Sequence, residues 1–273
     1  MKANADVAAF GPDSLSWQLS SEMVMVLGAR RALLLQVAHP LVAQGVADHS
    51  NFEADRLGRL FRTLEASLSV VFGTKEEATE VIRRINAVHR TVRGRLQEDA
   101  GVWARGIEYR ADDPELLLWV HATLVDTAVT FYERFVRKLD DRELETYYDE
   151  TRWPTAELGI PDELVPNTYV EFRAYFDEML ASGKIFVGST ARDISRGIMY
   201  PGIAFIPDRW FDPANIITIG TLPEEIRASY GFRWNRGRAA GLSLVTAAVS
   251  RSLPLLPSRI RYLPHSRRRT ESA

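Results

Sequence analysis

The chain has 273 residues, of which 46% are hydrophobic, and its formal net charge at pH 7 is −2. This length and apolar content can form one substantial core, and basic residues are interspersed with acidic ones, so we expect a single domain over residues 1–273 that does not bind nucleic acid. The absence of cysteine excludes disulfides, Cys-ligated zinc, iron–sulfur clusters and thiolate-ligated haem, and it leaves histidine, carboxylate or tyrosine as metal ligands.

The first helix is predicted over residues 14–38. Its most apolar part, residues 23–38, is interrupted by Arg30 and Arg31 and lacks a signal-peptide cleavage site. No run in the sequence reaches the roughly 18 to 20 apolar residues that a membrane span requires. We therefore expect a cytoplasmic protein without a transmembrane segment.

The apolar period and the start signals of the sequence predict the remaining helices. They cover residues 53–72, 75–97, 114–138, 141–151, 166–182, 187–199, 222–229 and 236–252. Capping-box patterns start two of them, at Thr74 and at Asp140. A third starts at Asp113, which is followed by Pro114 at the first helical position.

Two segments lack a helical period. Residues 202–219 are rich in proline, glycine and aromatic residues, and we expect them to form a long irregular loop. Residues 255–273, which contain the basic run Arg267–Arg269, are expected to be a solvated tail. The sequence therefore predicts an all-α, single-domain bundle of about nine helices around an apolar pocket.

Helix 53–72 carries an unusual polar set. Arg59, Arg62 and Thr63 stand three and four residues apart on one face. An arginine at such a position can neutralise a buried propionate or a developing oxyanion, and a threonine can donate to bound dioxygen or to a substrate. Ion pairing of the arginines at the protein surface is the structural alternative.

Two histidines lie on apolar helix faces. In helix 75–97, His89 falls within a stripe of apolar residues spaced three and four apart, and in helix 114–138 His121 shares a face with Leu117. We expect both imidazoles to point inward, where burial favours the neutral form that binds metal. A hydrogen-bonded core histidine is the alternative for each.

Two further histidines have structural interpretations. His39, which precedes Pro40, is expected to help end the first helix. His49 is expected to cap a helix or to pair with Asp48.

Motifs of several other enzyme classes are missing from the sequence. There is no P-loop, no GxSxG nucleophile elbow and no HExxH zinc motif. The Glu-x-x-His pairs of a di-iron bundle are missing too. An all-helical protein of this size is left with few routes to catalysis.

The order of these motifs resembles the MpaB and latex-clearing-protein oxygenase family, from about residue 15 to about residue 235. The segments that carry the resemblance are Arg30–Pro40, Gly45–Ser50, Arg59–Thr63, Val88–Gly94 and Pro114–Leu124. The resemblance implies an all-helical fold around one haem b, and an oxygenase that cleaves carbon–carbon double bonds of isoprenoid chains with dioxygen.

The resemblance also implies roles for individual residues. His89 would be the proximal ligand of the haem iron, Arg59 and Thr63 the distal catalytic residues, and His121 a supporting residue near the haem. Arg62 would bind the cofactor where rubber-cleaving relatives carry a lysine. Because a guanidinium stays protonated, a closed form with a lysine bound to the iron is not expected here.

The nearest counterparts of the family's upstream acidic residue are Gln44 and Asp48. The expected substrate is an apolar small molecule, isoprenoid-like or a secondary metabolite, rather than rubber. Two alternatives stay open: a haem-dependent dehydrogenase or peroxidase-type tailoring enzyme, and a non-catalytic protein that binds haem or an apolar ligand.

Overall fold

The computed structural model describes residues 8–49, 65–200, 202 and 207–266, apart from the side chains of residues 208 and 209. Helices dominate it. The first group comprises α1 (Leu15–Ser21), a 3-10 helix (Met23–Gly28), α2 (Ala29–Val37), α3 (Pro40–His49), α4 (residues 65–72) and α5 (Lys75–His89). The second comprises α6 (Pro114–Phe135), α7 (Asp141–Leu158), α8 (Tyr169–Ala181) and α9 (Ser189–Met199). The last comprises α10 (Asp212–Thr221), α11 (Glu224–Ser229), α12 (Arg236–Ser252), a 3-10 helix (Leu253–Leu255) and α13 (Ser258–Arg261).

The predicted all-α class is confirmed, with one small exception in the described residues. Strands β1 (Arg93–Arg95) and β2 (Glu108–Arg110) pair antiparallel. In this register Gly94 lies opposite Tyr109. A Cβ on Gly94 would lie 2.5 Å from the Tyr109 hydroxyl oxygen, so the close approach requires glycine there.

The helix starts predicted from capping residues are confirmed. Thr74 and Asp140 both form complete capping boxes, at the starts of α5 and α7. Asp113 accepts hydrogen bonds from two backbone N–H groups at the start of α6, where Pro114 needs no partner.

The single helix predicted over residues 14–38 is wrong. The chain leaves the helical conformation at Glu22, whose buried carboxylate accepts hydrogen bonds from Arg261. This ion pair fixes an extended residue between α1 and the 3-10 helix. Only the folded chain brings Arg261 to Glu22, so the local pattern contained no break signal.

Other predicted boundaries also differ. Helix α5 ends at His89 rather than at residue 97, because the next residues form β1. Helix α7 continues through Pro154 to Leu158 and ends at Gly159, which has a φ of 84°. Helix α3 was not predicted.

The expected loop over residues 202–219 and the expected tail over residues 255–273 are wrong in part. Helix α10 occupies Asp212–Thr221, and its inner residues are buried. In the tail, Leu263 is buried and its N–H donates to the Ser21 carbonyl oxygen. Arg267–Arg269 lie outside the described residues.

Helix α6 lies at the centre of the fold. It packs against α2, α7, α12 and the 3-10 helix Met23–Gly28. Trp119 is fully buried, donates from Nε1 to the Leu35 carbonyl oxygen and stacks on Phe176. Because α6 contacts several elements, each of its faces meets a different set of neighbouring side chains.

Candidate functional site

His89 is the last residue of α5. The residue is half-buried and its Nδ1 atom is shielded from solvent. The apolar stripe around it is only partly indoors, since Ile82 is 2% exposed and Val88 59%. The carbonyl end of a helix carries partial negative charge, which favours a cation such as a metal ion beside this imidazole.

His121 lies in the first half of α6. The side chain is half-buried as a whole, but Nε2 is shielded from solvent and has no hydrogen-bond partner among the described residues. Burial lowers the pKa of His121 to about 4. The imidazole is therefore neutral at physiological pH, with one ring nitrogen available to a ligand.

The face of α6 that carries His121 is less covered than expected. Leu117 is buried on this face, but Leu124 is 39% exposed and Ala128 half-buried. The described residues thus leave part of an apolar helix face uncovered next to a neutral imidazole. Helices α5 and α6 both pack against α7, which anchors the two histidine-bearing helices to one element.

His49, the last residue of α3, contacts a residue that lies close to His89 in the sequence. His49 Nε2 lies 2.9 Å from the Arg93 carbonyl oxygen, so this nitrogen donates. Of the two expected roles, pairing of His49 with Asp48 is not found among the described residues, where His49 bonds to Arg93 instead. The contact joins the end of α3 to Arg93, four positions after His89 in the sequence.

Gln44 and Asp48 form a hydrogen-bonded group on α3. Gln44 Nε2 donates to Asp48, and the Tyr109 hydroxyl donates to the other Asp48 oxygen at 2.7 Å. Burial and this bond to Asp48 raise the pKa of Tyr109. The group ties α3 to the hairpin that follows His89.

Three predicted site residues, Arg59, Arg62 and Thr63, lie outside the described residues. Their proximity to His89 therefore stays a prediction.

His39 has the structural role that was expected. It stands between the end of α2 at Val37 and the start of α3 at Pro40, and its Nδ1 accepts from the Leu41 N–H at 3.3 Å. Burial, with a smaller effect from Lys184, lowers the pKa of His39 to about 4.

Sequence reasoning missed a buried ion network on the opposite face of α6. Arg31 Nη2 lies 2.7 Å from Asp126 Oδ2, and Arg173 binds the other oxygen of the same carboxylate. Arg31 also donates to Thr127 Oγ1 and to the Thr221 carbonyl oxygen, both at 2.7 Å. Burial lowers the pKa of Arg31, and Asp126 opposes that shift. The sequence signal was a charged residue at two apolar positions, Arg31 in α2 and Asp126 in α6.

Arg31, Asp126 and Arg173 line a cleft of about 680 Å³. Neither His89 nor His121 contributes to its lining. At about 100° per residue, Asp126 lies roughly half a turn away from His121 around α6. This cleft is therefore separate from the histidine-bearing face.

The metal-binding capacity of the described residues is limited. They contain no group of three or more histidine, aspartate or glutamate side chains placed to hold a metal ion. A metal ion at His89 or His121 would need most of its ligands from residues outside this part of the chain or from a cofactor. A porphyrin supplies four of them.

No helix in the described parts of the chain is both long and apolar enough to cross a membrane.

Comparison with known proteins gives a family and two relatives. The family described as "ER-bound oxygenase mpaB/B'/Rubber oxygenase, catalytic domain" matches residues 17–251. The chain is similar to the uncharacterized proteins Rv2237 of Mycobacterium tuberculosis and Mb2261 of Mycobacterium bovis, each 25% identical over 238 residues, which covers 83% of this chain and 88% of the relative. No solved structure matches. Because this match spans most of the chain, the chain belongs to the mpaB and rubber oxygenase family, as an oxygenase catalytic domain.

Proposed function

We propose that this protein is a haem b-dependent oxygenase that acts with dioxygen on an apolar small molecule, isoprenoid-like or a secondary metabolite. The observation that carries the proposal is His121. Its Nε2 is buried, neutral and without a hydrogen-bond partner among the described residues, on a helix face that is apolar and partly uncovered. A large apolar cofactor would cover that face and lie beside the imidazole.

The residues fit a haem better than a metal ion held by protein groups alone. A single imidazole is sufficient as the protein ligand of a haem iron. The described residues offer His89 with a shielded Nδ1 at a helix end, and they offer no three-residue metal cluster. When bound, haem b supplies the redox chemistry that activates dioxygen.

The chain's own residues have distinct roles in this proposal. His89 would hold the iron, and a hydrogen bond from its second ring nitrogen would fix its tautomer. Arg59 and Thr63 would donate hydrogen bonds to the reacting oxygen atoms, while Arg62 would pair with an anionic group of the cofactor. His121 stays neutral and lies beside the cofactor. The apolar face of α6, once a cofactor covers it, would exclude water and orient the substrate.

The His89→Ala variant tests the metal role. Protein produced with added haem precursor should show a Soret band, and the variant should lose it because the imidazole that would hold the iron is gone. Free imidazole should restore part of the band. His265→Ala is the matched control, since His265 lies beside Phe72 near the end of the described chain, and it should retain the wild-type spectrum.

Full haem content and an unchanged Soret band in His89→Ala would rule out the assigned ligand. The reaction type is tested separately with labelled dioxygen, a reductant and an isoprenoid alkene. Label in the product supports an oxygenase. An oxidised product without label would instead indicate a dehydrogenase, and no turnover with full haem content would indicate a binding protein.

A further inference from the structure

The charge of the chain changes abruptly after Glu225. Residues 226–270 contain ten of the 34 basic residues, all of them arginine, and none of the 36 acidic residues. The remaining chain therefore carries 24 basic and 36 acidic residues. Basic and acidic residues are therefore interspersed only up to Glu225.

Exposed apolar side chains lie in the same segment. Leu244 is 72% exposed, Leu255 84% and Ile260 58%. One such side chain on a protein surface is ordinary, but three within 17 residues of an acid-free, arginine-rich segment form a pattern.

Helix α12 has one face that packs on the core and one face that points outward. Leu242 is buried and Leu244, two residues later, points away from the core. Arg251 follows Leu244 by seven residues, which at about 100° per residue returns to the same face. Arg251 is exposed. The outer face of α12 therefore presents leucine and arginine together.

The chain after α12 is held so that further apolar side chains point outward. Leu253 and Leu263 are buried on either side of the exposed Leu255 and Ile260. Arg261 reinforces the attachment, donating to Glu22 at 2.5 to 3.0 Å. Leu255 and Ile260 are therefore exposed because the chain on either side of them is held in place.

We propose that the outer surface of residues 236–260, here called the α12 surface, docks on a membrane that contains anionic lipid. Exposed arginines would pair with lipid phosphates, and Leu244, Leu255 and Ile260 would insert among the acyl chains. The long apolar stems of arginine suit this boundary, because they can lie in the apolar layer while the guanidinium stays at the phosphates.

The charge and polarity of the α12 surface favour an anionic membrane over a nucleic acid or a second copy of the chain. A nucleic acid would satisfy the arginines but would leave the outward leucines and isoleucine without an apolar environment. A symmetric dimer through this surface would place arginines against arginines, because a two-fold interface brings the same patch of both copies together. An anionic bilayer satisfies both kinds of side chain.

Docking would place the protein at the phase in which apolar substrates dissolve. Lipid binding can be measured on the full chain with or without cofactor, and therefore independently of the proposed haem chemistry.

The test is co-sedimentation of the full-length protein with phosphatidylcholine vesicles, with and without phosphatidylglycerol. Wild-type protein should bind the anionic vesicles, bind the neutral ones far less, and be released by added salt. Arg251→Gln and Arg259→Gln should each lower the partition coefficient about fivefold, since one basic residue near an anionic surface contributes about 1 kcal/mol. Leu255→Ser and Ile260→Ser should also weaken binding.

Matched substitutions elsewhere on the surface are the controls. Val170→Ser removes an apolar side chain that is 75% exposed on α8, and Arg105→Gln removes an exposed arginine from the loop between β1 and β2. Both should bind as wild type does. Failure of wild-type protein to bind anionic vesicles would overturn the proposal, as would equal loss in the control variants.

Two other outcomes would also overturn it. One is binding to duplex DNA that competes with vesicles and is insensitive to Leu255→Ser. The other is dimerisation in sedimentation velocity that disappears in Leu255→Ser while vesicle binding remains.

Discussion

His121 occupies a helix position at which one ring nitrogen is cut off from water while the rest of the side chain is half-buried. Burial lowers its pKa to about 4, so it stays neutral near pH 7. A buried nitrogen without a partner destabilises a fold by about 1–3 kcal/mol. A bound cofactor that covers the site would offset this penalty.

The His121→Leu variant separates a cofactor role from a core role. Leucine removes a nitrogen that has no hydrogen-bond partner among the described residues, so the haem-free protein should gain about 1 kcal/mol in its free energy of unfolding in urea. Haem retention should fall at the same time, measured by titration of haem into the two apoproteins. Equal haem affinity of the two would show that His121 does not support the cofactor.

At the scale of elements, one carboxylate joins three helices. Asp126 on α6 contacts Arg31 of α2 and Arg173 of α8, and Arg31 reaches on to the end of α10 through the Thr221 carbonyl oxygen. Arg31 and Asp126 are nearly inaccessible to solvent. Removing one partner of such a pair leaves a buried charge uncompensated, which is worse than removing both.

Asp126→Ala should therefore lower the free energy of unfolding by about 3–5 kcal/mol. The double variant Arg31→Met with Asp126→Leu should recover most of this loss, because it leaves no unpaired charge between α2 and α6. Arg83→Gln, which breaks an exposed pair with Glu80 on α5, is the control and should change stability by less than about 1 kcal/mol. Urea denaturation measures all three, and a double variant no more stable than Asp126→Ala would contradict the argument.

At the scale of the whole molecule, two buried histidines link stability to pH. His39 and His121 each have a pKa lowered to about 4, against 6.5 as the ordinary value. Between these two values the unfolded chain binds protons that the folded protein does not. The stability of the fold should therefore fall as pH falls from 6.5 towards 4, and these two groups should add no further loss below that range.

Each histidine should remove about 2 kcal/mol of unfolding free energy between pH 7 and pH 5. Urea denaturation of wild type at the two pH values gives the total loss. His39→Gln and His121→Leu should each reduce that loss by about half of the histidine contribution, and the double variant by all of it. An identical loss in wild type and double variant would mean that neither histidine titrates in this range.

Some of the functional assignment could be made before folding was considered. The apolar stripes around His89 and His121 were visible from spacing alone, and the helix starts at Thr74, Asp113 and Asp140 followed from local capping chemistry. Spacing could not predict how much of each apolar face is buried by other parts of the chain. Leu124 shares the face of His121 yet remains partly exposed, since cover depends on what packs there from elsewhere in the chain.

The sequence by itself determined the all-α class, the helix starts and the neutral character expected of His121, because these depend on residues within a few turns of one another. Only the tertiary structure decided where the first helix breaks at Glu22, how Asp126 is shared by two arginines, and which way Leu255 points. Each of those depends on partners far apart in sequence, such as Arg261 for Glu22. A local period records which side chains share a face, but the partner that meets that face is set by the packing of the whole chain.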